Sequence, residues 1–162
     1  MTWVILERHE RDLSAREASA AARALLEKHL REKYALGMEE LRMSKSSDGK
    51  PYFENCFVKF NISHSGKYVA LALSELEVGV DVQTVKSISQ RVARRYLESD
   101  ENDADRLTRL WTEYESVGKC EGCGIPHKLD KKAYYLFLKK LDSAWLCVCL
   151  PREEEIKLII EH

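Results

Sequence analysis

The sequence contains few of the residues that mark disordered, fibrous or membrane-spanning chains. Its 162 residues include only 7 Gly and 3 Pro, while 44% are apolar and 33% are charged. This balance excludes collagen-like and largely disordered architectures. Charged residues interrupt every apolar run well before the ~20 residues that a membrane span requires. We therefore expect one globular unit, or two small lobes that share a core, with no membrane partner.

Net charge, an export signal and the common nucleotide motifs are lacking as well. The chain carries 26 basic and 27 acidic side chains, so no overall field attracts nucleic acid, and any anion site must be assembled locally. Its first residues lack a secretory pattern and its 5 Cys are odd in number, which favours the cytoplasm and reduced thiols. No Walker loop, G-x-G-x-x-G fingerprint or nucleophile elbow supports an NTPase, dehydrogenase or hydrolase.

The residues that are present predict an α+β fold. A capping box at Ser14 and Glu17 begins a helix predicted over residues 15–35 and ended by Gly37. Other predicted helices cover residues 87–97 and 104–119, and predicted strands cover residues 2–6, 68–73, 78–82, 133–140, 143–150 and 155–160. Helices and strands do not alternate regularly, so we expect antiparallel sheets rather than a doubly wound sheet.

Each half of the chain holds one long helix and several strands. We therefore predict two small lobes, residues 1–75 and 76–162. Each lobe would pack its antiparallel sheet on its long helix.

Two polar stretches among apolar segments are candidates for a site. Asn61 to Gly66 is interpreted as a polar turn. Its hydroxyls, imidazole and backbone amides could hold a phosphate, or it is a plain turn with a satisfied histidine. Asp81 lies within an apolar predicted strand, where a carboxylate must be hydrogen-bonded, paired or bound to a cation. Gln83 projects to the same face two residues later.

A third candidate lies on the helix predicted over residues 104–119. Glu115 and Lys119 are four residues apart and share one helix face. They form either a surface ion pair or part of a metal site. In the second case Glu115 joins Asp81 as an oxygen ligand of Mg²⁺, and Lys119 contacts a phosphate that the metal also touches.

Taken in order, these elements resemble the motifs of the 4′-phosphopantetheinyl transferases, of the surfactin-synthetase type. The matching stretch runs from about Arg23 to Ile125. The resemblance implies a single chain folded as two α+β halves related by a pseudo-twofold axis, with the site between them. The motifs are Gly49-Lys-Pro51, Phe60-Asn-Ile-Ser-His-Ser-Gly66, Val78-Gly-Val-Asp81 and Trp111-x-x-x-Glu115-Ser-x-x-Lys119-x-x-Gly122.

The resemblance implies a Mg²⁺-dependent transfer of the phosphopantetheine arm of coenzyme A to a serine of an apo carrier protein, with release of 3′,5′-ADP. Asp81 and Glu115 match the family's ligands for Mg²⁺, with Mn²⁺ as the other metal these ligands would accept. Gln83 stands where many members carry a second acidic ligand. Glu115, or a water held by the metal, matches the base for the carrier serine, and Lys119 matches the lysine on the coenzyme A phosphates.

The resemblance implies coenzyme A binding for five further residues. Ser63 and His64 match the nucleotide end, where the histidine meets the 3′-phosphate. Arg23 falls near a family arginine for the same phosphate. Lys50 and Pro51 match the turn that borders the adenine pocket.

Departures from the motifs leave a second function open. Gln83, Tyr114 and Gly118 differ from the usual family residues. They favour a degenerate, non-catalytic coenzyme A-binding module. The presence of Asp81, Glu115, Lys119 and His64 favours the enzyme, because a pure binding module has less need of both metal carboxylates.

The cysteines allow a structural alternative. Cys120, Cys123 and His127 have a metal-like spacing and, with Cys147 and Cys149, could form a zinc site. Reduced thiols without a metal are the simpler interpretation.

The helix after Asp81 has a basic face made by Arg91, Arg94 and Arg95. This face is either a solvated surface or a docking surface for an acidic carrier protein. We expect a monomer, because two lobes of one chain can build the site between them.

Overall fold

The computed structural model describes residues 1–124 and 130–162 and has the expected α+β fold. The strands are β1 (Thr2–Arg8), β2 (Met43–Lys45), β3 (Pro51–Phe53), β4 (Lys59–Ser65), β5 (Tyr68–Ser74), β6 (Gly79–Thr84), β7 (Tyr135–Lys140), β8 (Ala144–Leu150) and β9 (Ile156–Glu161). The helices are α1 (Ala15–Tyr34), α2 (Gln90–Leu97) and α3 (Ala104–Glu121), with 3₁₀ turns at Met38–Glu40 and Lys131–Ala133. Within these two ranges no helix is long and apolar enough to cross a bilayer.

Two sheets with matching topology form the centre of the molecule. The first has the strand order β4-β5-β1-β9, and the second has the order β6-β8-β7. In each sheet the first strand is followed by a long helix and then by an antiparallel hairpin, whose second strand pairs back with the first strand. This repeated arrangement confirms the predicted fold class, in which a long helix packs on each sheet.

The last strand departs from the predicted arrangement. The sequence predicts an edge strand at residues 155–160, and β9 is one, but it pairs in parallel with β1. The first sheet is therefore mixed, not antiparallel throughout. Residues of the predicted lobe 76–162 complete the sheet of the predicted lobe 1–75. The division into two lobes at that boundary stays a prediction.

Alternating side chains build a stack in which each sheet lies between a helix and the other sheet. In β1, Ile5 packs with α1, whereas Val4 and Leu6 face the second sheet. On the outer side of the second sheet, Val117 of α3 packs with Cys149. The buried apolar side chains between the two sheets are here called the inter-sheet core. They come from both predicted lobes, residues 1–75 and 76–162.

Capping residues set the ends of the helices, and the sequence predicts only some of these ends correctly. Ser14 and Glu17 form the predicted capping box, in which Ser14 N donates to the Glu17 carboxylate at 2.8 Å. α1 ends at Ala35, whose φ is 55°, so the expected stop at Gly37 is wrong. Ser89 caps α2, which therefore begins later than predicted.

The segment predicted as a polar turn is a strand. β4 contains Asn61, Ser63 and His64, and the chain turns only at Gly66, whose φ of 58° favours glycine. Because predicted strands follow apolar runs, the polar residues here favour a turn at the level of sequence. Their side chains instead alternate between two faces, and one of those faces meets β6.

Candidate active site

A row of side-chain hydrogen bonds, here called the polar ladder, joins the edge strands β4 and β6. Three alternate side chains of β4 each accept a hydrogen bond from a backbone N–H of β6. The bonds run from Val80 N to Asn61 Oδ1 (2.8 Å), from Val82 N to Ser63 Oγ (3.1 Å) and from Thr84 N to Ser65 Oγ (3.0 Å). Because an edge strand otherwise leaves such N–H groups without a strand partner, the polar ladder fixes β6 against β4 and connects the two sheets.

Asp81 lies at the centre of this junction and is only 1% exposed. Its Oδ1 accepts hydrogen bonds from Ser63 Oγ at 2.9 Å and from Lys119 Nζ at 2.8 Å. Its Oδ2 accepts a hydrogen bond from Gln83 Nε2 at 2.9 Å. The buried carboxylate thus has the partners that the sequence argument required.

Gly79 allows α3 to approach β6 closely enough to serve this site. A Cβ at Gly79 would lie 2.0 Å from Ser116 O and 2.5 Å from Cys120 N. The backbone of α3 therefore rests directly on the strand, where no side chain fits. This close approach brings Lys119 within reach of Asp81.

Glu115 supplies a second carboxylate near Asp81. Burial raises the pKa of Glu115, and the negative charge of Asp81 raises it further against the opposing charges of Lys119 and Lys86. Within the part of the chain that the structure describes, the Glu115 side chain has no hydrogen-bond or ion-pair partner. A free carboxylate beside a buried one suits a hard divalent cation, which prefers oxygen ligands.

Gln83 presents its amide nitrogen, not its oxygen, to Asp81. The amide oxygen accepts a hydrogen bond from Lys86 Nζ at 2.8 Å. In this arrangement Gln83 holds the Asp81 carboxylate in place. Its role as a third metal ligand stays a prediction.

Two adjoining cavities lie between this junction and α1. The larger cavity, of about 710 Å³, is lined by Arg23, Pro51 and His64, by Ser19 and Glu39, and by apolar side chains. A smaller cavity, of about 250 Å³, is lined by Lys119. Pro51 and Ile62 line both, so the two cavities adjoin and are together called the groove. The groove brings Arg23 and His64 to one end and Lys119 to the other.

Two residues predicted to bind coenzyme A have protein partners in the structure. Ser63 lies in the polar ladder, on the face of β4 opposite to His64. Lys50 lines the smaller cavity, but its ammonium lies 3.1 Å from Glu77 Oε2 and donates to Cys120 O at 3.2 Å. Ser63 and Lys50 thus connect residues of the two predicted lobes. Direct contacts between these two side chains and coenzyme A stay predictions.

Two groups of residues around the site have roles that the sequence does not predict. The first is the pair Asn61 and Ser65 of the polar ladder, whose signal is the alternation of polar residues at every second position. The second is an aromatic cluster: Trp111 and Tyr114 stack at 5.4 Å, and Tyr96 of α2 lies 6.2 and 6.0 Å from them. Tyr114 is buried, so this departure from the family motif fills the space between α2 and α3.

The basic face lies where the sequence predicts it, on α2. Arg91, Arg94 and Arg95 are exposed. Arg94 Nε bonds to Asp100 Oδ1 at 2.9 Å, and the Arg95 guanidinium lies 5.2 Å from the ring centroid of Tyr96. The three arginines therefore form a solvent-facing surface next to the helix that carries Glu115 and Lys119.

The zinc alternative finds no support in residues 1–124 and 130–162, which contain no group of three or more His, Cys, Asp or Glu able to hold a metal ion. His127 lies outside these residues. Cys120 and Cys149 are buried together, and Cys147 Sγ lies 3.2 Å from Ser116 Oγ. Burial raises the pKa of Cys147 to about 12, so this thiol stays protonated at neutral pH.

The known proteins that the chain matches are phosphopantetheinyl transferases. A family model described as 4′-phosphopantetheinyl transferase, N-terminal, matches residues 8–76. The chain is 34% identical over 108 residues to 4′-phosphopantetheinyl transferase Sfp of Bacillus subtilis (strain 168), which covers 60% of this chain and 48% of that protein. It is 32% identical over 112 residues to 4′-phosphopantetheinyl transferase psf-1 of Bacillus pumilus, covering 62% and 48%.

A mammalian protein aligns with nearly the whole chain at lower identity. The L-aminoadipate-semialdehyde dehydrogenase-phosphopantetheinyl transferase of Mus musculus is 25% identical over 187 aligned positions, which cover 96% of this chain and 60% of that protein. The chain spans about half the length of the Bacillus relatives that it matches.

Proposed function

Because the chain is a member of the 4′-phosphopantetheinyl transferase superfamily, of the surfactin-synthetase type, we propose that it transfers the phosphopantetheine arm of coenzyme A to a serine of an apo carrier protein. The other product is 3′,5′-ADP. One observation carries this proposal: the groove has Arg23 and His64 at one end, and Lys119 beside the Asp81 and Glu115 carboxylates at the other.

The groove suits a long, unevenly charged ligand such as coenzyme A. Arg23 and His64 supply a cation and an imidazole for the 3′-phosphate, and the apolar wall beside Pro51 gives the adenine a surface to pack on. Lys119 supplies an ammonium for the pyrophosphate. The 3′-phosphate, the adenine and the pyrophosphate of coenzyme A thus each have a matching side chain along the groove.

The carboxylates of Asp81 and Glu115 are the proposed ligands of Mg²⁺, with Mn²⁺ as an alternative ion. They fit the ion because both are hard oxygen donors and Glu115 is free to bind. The bound ion would neutralise charge that develops on the leaving phosphate. Ser63 and Gln83 hold the Asp81 carboxylate in one orientation. Glu115, or a water held by the metal, is the proposed acceptor for the proton of the carrier serine.

The proposal is tested by incubating the protein with coenzyme A, Mg²⁺ and a panel of apo carrier proteins, followed by intact-mass measurement. We expect a carrier to gain the mass of one phosphopantetheine group. Asp81→Asn should abolish the gain, whereas Glu153→Gln, at an exposed site after β8, should leave it unchanged. No gain on any carrier, with coenzyme A still bound, would contradict the transferase assignment.

A non-catalytic coenzyme A-binding module is the second candidate. It is favoured by Gln83, whose neutral amide contacts Asp81 where many family members carry an acid. The two functions differ in their response to Gln83→Glu, which adds a carboxylate to the site. A transferase should keep or gain transfer activity with this variant, whereas a binding module should bind coenzyme A and transfer nothing in either form.

The basic face of α2 is the proposed docking surface for the carrier protein. Arg91, Arg94 and Arg95 are exposed, and opposite charge raises the rate of encounter with an acidic partner. The double variant Arg91→Glu and Arg94→Glu should raise the KM for the carrier by roughly tenfold and leave the KM for coenzyme A unchanged. The control reverses two exposed cations elsewhere, Lys132→Glu and Arg152→Glu. Equal effects of the two double variants would contradict docking on α2.

The chain is proposed to act as a monomer in the cytoplasm. All five cysteines are free, which fits a reducing compartment. Residues of one chain supply both ends of the groove. Neither nucleic acid nor a membrane is part of the proposed reaction.

A further inference from the structure

The inter-sheet core ends in a second cavity, here called the end cavity, which shares no residue with the groove. It has a volume of about 240 Å³ and is lined by residues of β1, β5, β7 and β9 and of the turn between β7 and β8. The inward-facing side chains of these strands are apolar along the core. Where these strands border the end cavity, several of their side chains are instead polar or charged.

Lys139 occupies a core-facing position at which an apolar residue is expected. Tyr135 and Phe137 of β7 pack against the inter-sheet core. Alternation makes Lys139 the next residue in that row, opposite the fully buried Leu146. The Lys139 side chain therefore starts from the core side of β7 and lines the end cavity.

Tyr68 lines the same cavity and carries a buried hydroxyl that has no partner among the described residues. It is 2% exposed, belongs to the inter-sheet core and lines the end cavity. Within residues 1–124 and 130–162 its hydroxyl has no hydrogen-bond partner. Because leaving a buried hydroxyl unpaired is costly, an acceptor supplied from the cavity would be favourable there.

The lysine and arginine side chains around the end cavity leave one positive charge uncompensated. Arg8 pairs with Asp142 at 2.7 Å, and Lys140 pairs with Asp105. Among the described residues, Lys139 has no carboxylate partner. Apolar parts of the wall come from Leu6, Leu141 and Ile160.

We propose that the end cavity binds a small organic monocarboxylate. One carboxylate oxygen accepts a hydrogen bond from Lys139 Nζ, the other accepts one from Tyr68 OH, and the hydrocarbon body packs on the apolar wall. The single negative charge of this ligand matches Lys139, the one lysine or arginine of the wall without a carboxylate partner among the described residues. A phosphate monoester fits less well, since it carries nearly two charges at neutral pH.

The test is a titration of the ¹⁵N-labelled full chain with hexanoate, followed by the amide shifts of Leu141 and Ile160. We expect saturable shifts at these two residues. Lys139→Met should weaken binding at least tenfold, because it removes the cation and keeps an apolar stem. Tyr68→Phe should weaken binding several-fold. Lys132→Met, at an exposed lysine, is the matched control and should bind as the parent does.

Three outcomes would overturn the proposal. Absence of saturable shifts at these amides would show that the end cavity does not bind the anion. Equal binding of hexylamine or hexanol would show that apolar contact alone fills the cavity. Equal competition by inorganic phosphate would show a general anion site without preference for carboxylates. The amide spectrum of each variant also reports whether it is folded, so a loss of binding is not confused with a loss of structure.

Discussion

At the scale of single residues, the contact between Gly79 and α3 can be tested directly. Gly79→Ala would place a Cβ 2.0 Å from Ser116 O, so α3 would have to move away from β6. We expect the free energy of unfolding, measured in urea, to fall by about 3 kcal/mol. Gly49→Ala is the control, because its Cβ would meet nothing within 4 Å and only its φ of 86° would cost about 1 kcal/mol. Equal losses would contradict a tight contact.

Glu115 makes the stability of the fold depend on pH. Burial, and then the charge of Asp81, raise its pKa in the folded state above its unfolded value. The folded protein therefore holds this proton more tightly, and stability is lost as the pH rises from the unfolded to the folded pKa. Glu115→Gln should raise the Tm at pH ~7 and change it little near pH ~4, close to the unfolded pKa. Glu10→Gln, at an exposed site, is the control. Equal Tm shifts of Glu115→Gln at the two pH values would contradict this account.

The sequence identifies the central carboxylate better than the residues that surround it. Asp81 is visible because a charge inside an apolar strand is a local anomaly. The function of Ser63 depends on contact with β6, and the position of Tyr114 depends on packing against Tyr96 of another helix. Such partners are set by tertiary structure, which a local pattern does not contain. For the same reason the end of α1 at Ala35 was not predictable from the position of the nearest glycine.

At the scale of elements, the polar ladder holds β4 beside β6 without strand pairing. Asn61→Leu would leave the buried N–H of Val80 without an acceptor, and the free energy of unfolding should fall by about 2 kcal/mol. Hydrogen exchange at Val80 should become faster in the same variant. Ser65→Ala should cost less, because Ser65 is half-buried and water can replace its hydroxyl. Ser47→Ala, at an exposed turn, is the control, and a similar loss there would contradict this account.

At the scale of the whole molecule, the shared core predicts that the two segments unfold together. The inter-sheet core contains residues of both predicted lobes, and β9 completes the first sheet. Two variants that each keep one tryptophan, Trp3 in β1 or Trp145 in β8, would report on the two sheets separately by fluorescence. We expect coincident urea midpoints and one cooperative transition. Two separate midpoints would show that residues 1–75 and 76–162 are independent units.

The parallel pairing of β9 with β1 also has a consequence for biosynthesis. β1 emerges from the ribosome before every other strand described here, whereas its neighbour β9 emerges after all of them. Until then, one edge of β1 has no strand to pair with, and that edge is a template for pairing with another chain. The nascent protein therefore cannot close its first sheet until translation has passed Glu161. An unpaired edge of this kind favours aggregation during folding.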